Sequence, residues 1–247
     1  MVWSIAGREL RSLFLSPLAW AILGVVLFIM ARMFLSVLDA YIGFQDQLAL
    51  IDQPPGVTEI ISGQMLANTG VVMLLVSPLL TMRLISEELR SGTIALLFSA
   101  PVTMTEIILG KFVGILGFML LILGLILLMP LSLLFAGSLD FGMLAAGVLG
   151  MTLLLASFAA AGLFMSTLTN QPTVAAVATF GLLLLLWIIA WAGSDSSSVL
   201  HYLSLSRHHN AFIKGVFDSR DLIYYLLFIT TFLVLSIRRL DAYRLQH

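Results

Sequence analysis

From Val113 to Ala192 the chain carries a single ionisable side chain, Asp140. A soluble domain places charge on about a quarter of its residues. Here charged residues make up 10% of the 247, 60% are hydrophobic, and the mean hydropathy is +1.09. Stretches of this kind belong in lipid, where every backbone N–H and C=O must be paired within the segment, so they must be helical. The expected fold is therefore an all-α polytopic membrane protein, a single domain over 1–247. Roughly 20 apolar residues suffice to cross a bilayer. Six runs are read as spans: 17–38, 69–85, 107–135, 143–166, 173–192 and 222–237.

Between the runs lie polar segments of distinct character. At the N-terminus (1–16), Trp3, Ile5, Ala6, Leu10, Leu13 and Phe14 share a helical face, while Arg8, Glu9, Arg11 and Ser12 share another. That pattern suits a helix in the membrane surface, or a polar prefix to the first span. It is not read as a cleavable signal peptide, because no short apolar core with a cleavage site follows an early basic stretch. Arg32 is expected to snorkel outward or to pair with Asp39. Residues 39–68 are read as an outer segment with Asp39, Asp46, Asp52 and Glu59 but no lysine or arginine. Pro78 and Pro130 are expected to bend their spans. Gly142, Ala146 and Gly150, like Gly110 and Gly114, recur at a spacing of four, which lets helices approach closely.

The longest charged interruption on the other side is Ser86 to Phe112, with Glu87, Glu88, Arg90, Glu106 and Lys111. Ser86 is a candidate cap, and the two glutamates suit the positive end of a helix dipole. Gly92 permits a turn, Thr93 can cap Ile94 to Phe98, and Pro101 stops that run. Thr103 to Glu106 is a capping-box pattern that starts the next helix. A short helix over 87–100, held between two spans, can carry a push from a soluble partner into the membrane.

Residues 193–221 mix aromatics and leucines with His201, Arg207, His208, His209, Asn210 and Lys214. The segment is too polar to span and too apolar for a free loop, so 199–218 is read as a helix pair dipping into the outer leaflet. Adjacent histidines point about 100° apart on a helix, which favours interfacial placement over a metal site. With both termini inside, the inner segments hold Arg8, Arg11, Arg83, Arg90, Lys111, Arg238, Arg239 and Arg244. The outer ones hold Arg32, Arg207, Lys214 and Arg220. Eight cations against four agrees with the positive-inside tendency, and places both termini in the cytoplasm.

The run Glu-Glu-x-x-x-Gly-Thr-Ile-x-x-Leu-x-x-x-Pro-Val from Glu87, followed by Gly110-Lys111, resembles the membrane subunit of ABC type-2 exporters. Within that family it is most similar to the gliding-motility (GldF-like) permeases. The resemblance implies that this segment is a coupling helix that docks on an ATP-binding subunit through Glu87, Glu88, Arg90, Gly92, Thr93, Leu97 and Pro101. It also implies a re-entrant hairpin before the last span, with His201, Arg207, His208, Asn210 and Lys214 at an outer gate. A homodimer, or a heterodimer with a related permease, is implied, and an accessory membrane subunit with a large outer domain is a further candidate partner.

The chain has no GxxxxGK[ST] loop, so ATP and its Mg²⁺ are expected on the partner, with no cofactor bound here. Gly-x-Ser-x-Gly and His-Glu-x-x-His are absent too, which argues against an enzyme. There is no cysteine, and a net charge of −1 offers no attraction for nucleic acid. Few buried carboxylates line the spans, which disfavours a secondary carrier. That carrier, and a non-transporting membrane anchor or assembly subunit, stand as alternatives to an inner-membrane exporter permease. An uncharged interior suits a hydrophobic or amphipathic cargo.

Overall fold

A computed structural model of the chain describes residues 1–44, 56, 58–94, 102–135, 140–192 and 204–246. Among these, every regular element is helical. They are α1 (Val2–Leu15), α2 (Pro17–Gly43), α3 (Gly63–Thr81) led in by a π-helical turn Thr58–Ser62, and α4 (Ser86–Ser91). There follow α5 (Met104–Leu131) with a 3₁₀ turn Ser132–Phe135, α6 (Phe141–Leu168), α7 (Pro172–Ala192), α8 (Leu205–Ile213) and α9 (Ser219–Gln246). Six helical stretches are long and apolar enough to cross a membrane. The fold is thus the all-α, six-span architecture that the apolar runs require.

Several boundaries differ from those read in the sequence. α2 continues to Gly43, the second helical stretch starts at Thr58, and the last runs from Ser219 to Leu245. Glu59 and the residues up to Asn68, read as outer loop, are therefore helical. Packing is the cause: Ile61, Ser62, Met65 and Leu66 are buried, and Thr58 Oγ1 accepts the Asp140 N–H at 2.9 Å. The polar side chains that suggested a loop, Gln64 and Asn68, bond to each other one turn apart at 3.2 Å. Asp46 and Asp52 lie outside the described residues. Arg32 is exposed, and the ion pairs among the described residues do not join it to Asp39.

α6 is the central post, packed against α3, α5, α7, α8 and α9. Its small residues explain how so many helices reach it. A methyl group added at Gly150 would overlap Phe212 Cβ, and one at Gly162 would overlap Thr81 Oγ1. At Gly147 it would sit 2.5 Å from Leu66 Cδ1. Gly142, by contrast, belongs to the Asp140 cap, whose carboxylate accepts the N–H groups of Gly142 (2.9 Å) and Met143 (3.2 Å). Of the three positions read at a spacing of four, Gly150 thus lies on the close-approach seam of α6, where Gly147 and Gly162 join it, and Gly142 serves the cap.

The helices alternate in direction, and two short helices mark the ends. α8 packs where α3 and α6 begin, through Leu66, Gly147 and Gly150. α4 bonds to Ser166, near the last turn of α6. They therefore lie at opposite ends of the bundle. α1 and the Arg238, Arg239 and Arg244 end of α9 share the end marked by α4.

Overpacking a tight helix crossing typically costs about 1–3 kcal/mol. Gly150→Val should lower the thermal midpoint in detergent well below that of Gly124→Ala, since Gly124 has open space around it. Equal midpoints for the two variants would contradict this packing.

Candidate functional site

α4 exists because the chain breaks at the foot of α3. Residues 82–85 turn, and the freed backbone groups converge on one buried hydroxyl. Ser166 Oγ accepts the N–H groups of Ile85 and Ser86, each at 3.0 Å, and donates to the Met82 carbonyl at 3.1 Å. A hydroxyl has one proton and two lone pairs, so Ser166 is fully used. The Ser86 hydroxyl also donates to the Met82 carbonyl, and Ile85 occupies the cap position. Ser86 is therefore not the cap suggested by its place before two glutamates.

Gly92 ends α4 with φ of 72°, a left-handed conformation that glycine adopts without strain. Ser91 Oγ donates to the Glu87 carbonyl at 2.8 Å and lies 2.8 Å from Thr93 Oγ1. Beyond Ile94 the rest of the expected 87–100 helix, including Leu97, lies outside the described residues, as does Pro101. Where the chain resumes, the capping box at Thr103 and Glu106 is present. Thr103 N–H reaches the Glu106 carboxylate at 3.0 Å, and Glu106 N–H reaches Thr103 Oγ1 at 3.2 Å.

The charged residues of α4 divide between two faces. Glu87, Arg90, Gly92 and Thr93 are exposed, whereas Leu89 is buried and Glu88 turns inward. Lys111 Nζ donates to Glu88 Oε1 at 2.7 Å and to Glu9 Oε1 at 2.6 Å. That lysine is 2% exposed, and these two carboxylates are the partners that compensate its burial. One buried cation therefore ties together α1, α4 and α5.

The Glu9 contact changes the reading of α1. Its inner face lies along α5, where a Cβ at Gly110 would sit 2.7 Å from Ile5 Cβ, one at Gly114 2.8 Å from Glu9 Cβ, and one at Gly117 2.8 Å from Leu10 Cδ1. Phe14 meets Phe118 edge-on at 5.6 Å. Glu9, assigned from its charge to the polar face, sits on the packed one because Lys111 lies opposite it. Arg8, Arg11 and Trp3 remain exposed.

Two clefts flank α4. One, of about 580 Å³, lies between Arg83, Glu87, Leu89 and Arg90 on one side and the turn from Asn170 to Thr173 on the other. The second, of about 330 Å³, runs between α1 and the α3–α4 break and includes Glu9, Ser12, Glu88 and Lys111.

At the opposite end, the residues read as an outer gate separate. Asn210 and Lys214 are exposed and His201 lies outside the described residues. Arg207 is partly buried on α8. His208 Nδ1 lies 2.5 Å from Asp221 Oδ1, and its ring stacks on Tyr224 at 4.1 Å. Tyr225 donates its hydroxyl to the Leu205 carbonyl at 3.0 Å. His209 is buried against Trp187, with Nε2 3.5 Å from the Leu66 carbonyl. Burial pushes its imidazole down to about 4, the Leu66 carbonyl opposing. The expected interfacial placement of these two histidines is corrected: both face protein, because α8 is wedged among α3, α6 and α7. Among the described residues no three His, Asp or Glu side chains are grouped to hold a metal.

Glu9, Ser166 and Asp221 were not singled out by the sequence pattern. Glu9 had a charge to flag it, and a buried lysine at 111 needs such partners. A serine within an apolar helix carries no comparable signal.

No individual curated protein matches the chain. The family described as ABC-2 family transporter protein matches residues 3–242. That match spans nearly every element described above, both short helices included. The chain belongs to this family of ABC transporter membrane components, and it is a multi-pass membrane permease rather than an ATPase.

Proposed function

We propose that the chain is the permease subunit of an ATP-driven exporter and that α4 is where an ATP-binding subunit docks. The observation that carries this reading is the division of α4 into two faces. Glu87, Arg90, Gly92 and Thr93 stand clear of the fold beside a 580 Å³ cleft. The inner face is held to three other helices by Ser166 and Lys111. A helix so exposed and yet so firmly attached suits the transfer of force better than the filling of space. The eight-to-four excess of cations at the α4 end supports placing that end, with both termini, in the cytoplasm.

ATP and Mg²⁺ belong to the partner on this reading, and this chain shapes the pathway. A second copy or a related permease completes the pathway, in keeping with the resemblance to ABC type-2 exporters. The resemblance to gliding-motility permeases makes an accessory subunit with a large outer domain a candidate neighbour for the acidic residues after α2. Arg207, His208, Asn210 and Lys214 belong to a plug that closes the outer end, with His201 placed nearby in sequence. The predominantly apolar spans favour a hydrophobic or amphipathic cargo.

Two outcomes check these assignments. Glu87→Arg combined with Arg90→Glu alters only exposed charge, so the protein should still insert and remain monodisperse. Its recovery of ATPase on co-purification from native membranes should fall at least several-fold. Full recovery would remove α4 as the docking element, and an unmutated complex without ATPase would end the exporter reading.

At the outer end, His209 is neutral in the fold down to about pH 4, against 6.5 when free. Between those values the unfolded chain binds the additional proton, so stability falls as pH drops through that window, by up to about 3 kcal/mol. The thermal midpoint should drop between pH 7 and 4.5, and His209→Gln should flatten that drop. An unchanged acid slope in the variant would refute the burial argument.

A further inference from the structure

Lys111 has an arrangement that ordinary packing does not require. A single lysine would be balanced by a single carboxylate, yet two converge on it at 2.6 and 2.7 Å. They come from opposite sides of the chain's architecture. Glu9 belongs to α1, which lies on α5 over the glycines at 110, 114 and 117. Lys111 is on α5 itself, so α1 and α5 already form one packed body without any ion pair. Glu88 belongs to α4, which is bonded to α6 through Ser166 and packs against α6 and α7. The Glu88–Lys111 pair is thus the charged link between the α1–α5 body and the helix that meets the partner. Glu88 Oε2 is buried with no hydrogen-bond partner among the described residues, where the carboxylate is held through Oε1.

We propose that Lys111 is a positioning residue that yokes α4 to the α1–α5 body, so that displacement of α4 by a docked ATPase moves α1 and α5 with it. This rests on the docking role of α4 proposed above. Three features of the site support it. The pair is nearly dry, with Lys111 2% and Glu88 19% exposed, so it is weakly screened by salt. The ammonium is compact and can keep both carboxylates while α4 pivots, since its three donors rotate freely. The 330 Å³ cleft beside it, lined by Ser12, Ser16 and Arg83, leaves room for the Glu88 side chain to swing. Ser166 then acts as the pivot and Lys111 as the tether.

Glu88→Gln is the informative change. Lys111 keeps Glu9 and the buried charges balance one to one, so folding should survive while the charged link to α4 is lost. A purely structural role predicts no functional consequence. The chain has no cysteine, so Phe217→Cys supplies a unique thiol at an exposed position near α8. The test measures its maleimide labelling rate in the complex purified from native membranes, with and without ATP and vanadate.

With Glu88 present, nucleotide should change the labelling rate. With Glu88→Gln, ATPase should co-purify as before while that change is lost. The triple variant Glu9→Gln, Glu88→Gln, Lys111→Met, which removes the whole charge cluster, should behave like Glu88→Gln. A nucleotide response retained in Glu88→Gln would overturn the tether. Restoration of the response in the triple variant would overturn it as well, because only relief of buried charge would then matter. Absence of ATPase from the unmutated complex is a separate failure, that of the docking reading itself.

Discussion

Breaking a helix at the end of a membrane span frees backbone groups that neither lipid nor a distant neighbour can satisfy, and this structure meets that constraint with one hydroxyl. Ser166 takes the Ile85 and Ser86 N–H groups and returns its proton to Met82. An unmade hydrogen bond in a buried setting costs about 1–3 kcal/mol, so without Ser166 the chain would gain by continuing α3 straight on. The turn at 82–85 is what directs α4 across the base of the bundle. It also brings the inward face of α4 to Lys111 and leaves Glu87 and Arg90 outside. The tight contact of Gly162 with Thr81, one turn before Ser166 on α6, holds the two helices close enough for that hydroxyl to reach.

The ion cluster follows from the same geometry. Breaking a buried pair by removing one partner typically costs about 3–5 kcal/mol, whereas neutralising the whole cluster can be close to neutral. Lys111 with its two carboxylates is therefore a weak argument for stability and a stronger one for specificity. It fixes which face of α1 meets α5, since turning α1 by one position would replace Glu9 with Arg8 or Leu10. It likewise fixes which of the adjacent glutamates on α4 points in. Glu87 and Glu88 look equivalent in the sequence, and the turn held by Ser166 together with the cation decides between them.

Much of the architecture was legible because lipid leaves few options. Six long runs with almost no charge become six helices long and apolar enough to cross a membrane, and the capping box at Thr103 is present where its pattern stands. The family could be read from the ordered motif beginning at Glu87. What escaped was what each polar side chain meets, near or far in the sequence. Asn68 and Gln64 look like loop residues until each is seen bonded to the other on a helix whose opposite side is buried. His208 looks interfacial until Asp221 is found 2.5 Å away. Glu9 looks like part of a solvated face because Lys111 lies 102 residues later. Periodicity reports which residues share a face, and it cannot report what that face meets.

The two ends of the bundle are fastened by different physics, and that difference bears on how they could move. At the α4 end, α4 itself is bonded through a hydroxyl with three bonds and a lysine between carboxylates, groups that can slide or rotate while staying paired. At the α8 end they are interlocked shapes: Phe212 over Gly150, Tyr225 bonded to the Leu205 carbonyl, and His208 stacked on Tyr224. Packed apolar surfaces tolerate discrete rearrangement better than gradual shift, because a small gap already forfeits much of the contact energy. Gradual force applied at a compliant polar end and resisted at a close-packed end would be stored until the packed end gives way as a unit. α6 is the element that could carry it, since Ser166 near its last turn and Gly150 towards its first belong to one continuous helix that is buried from Leu154 to Leu163.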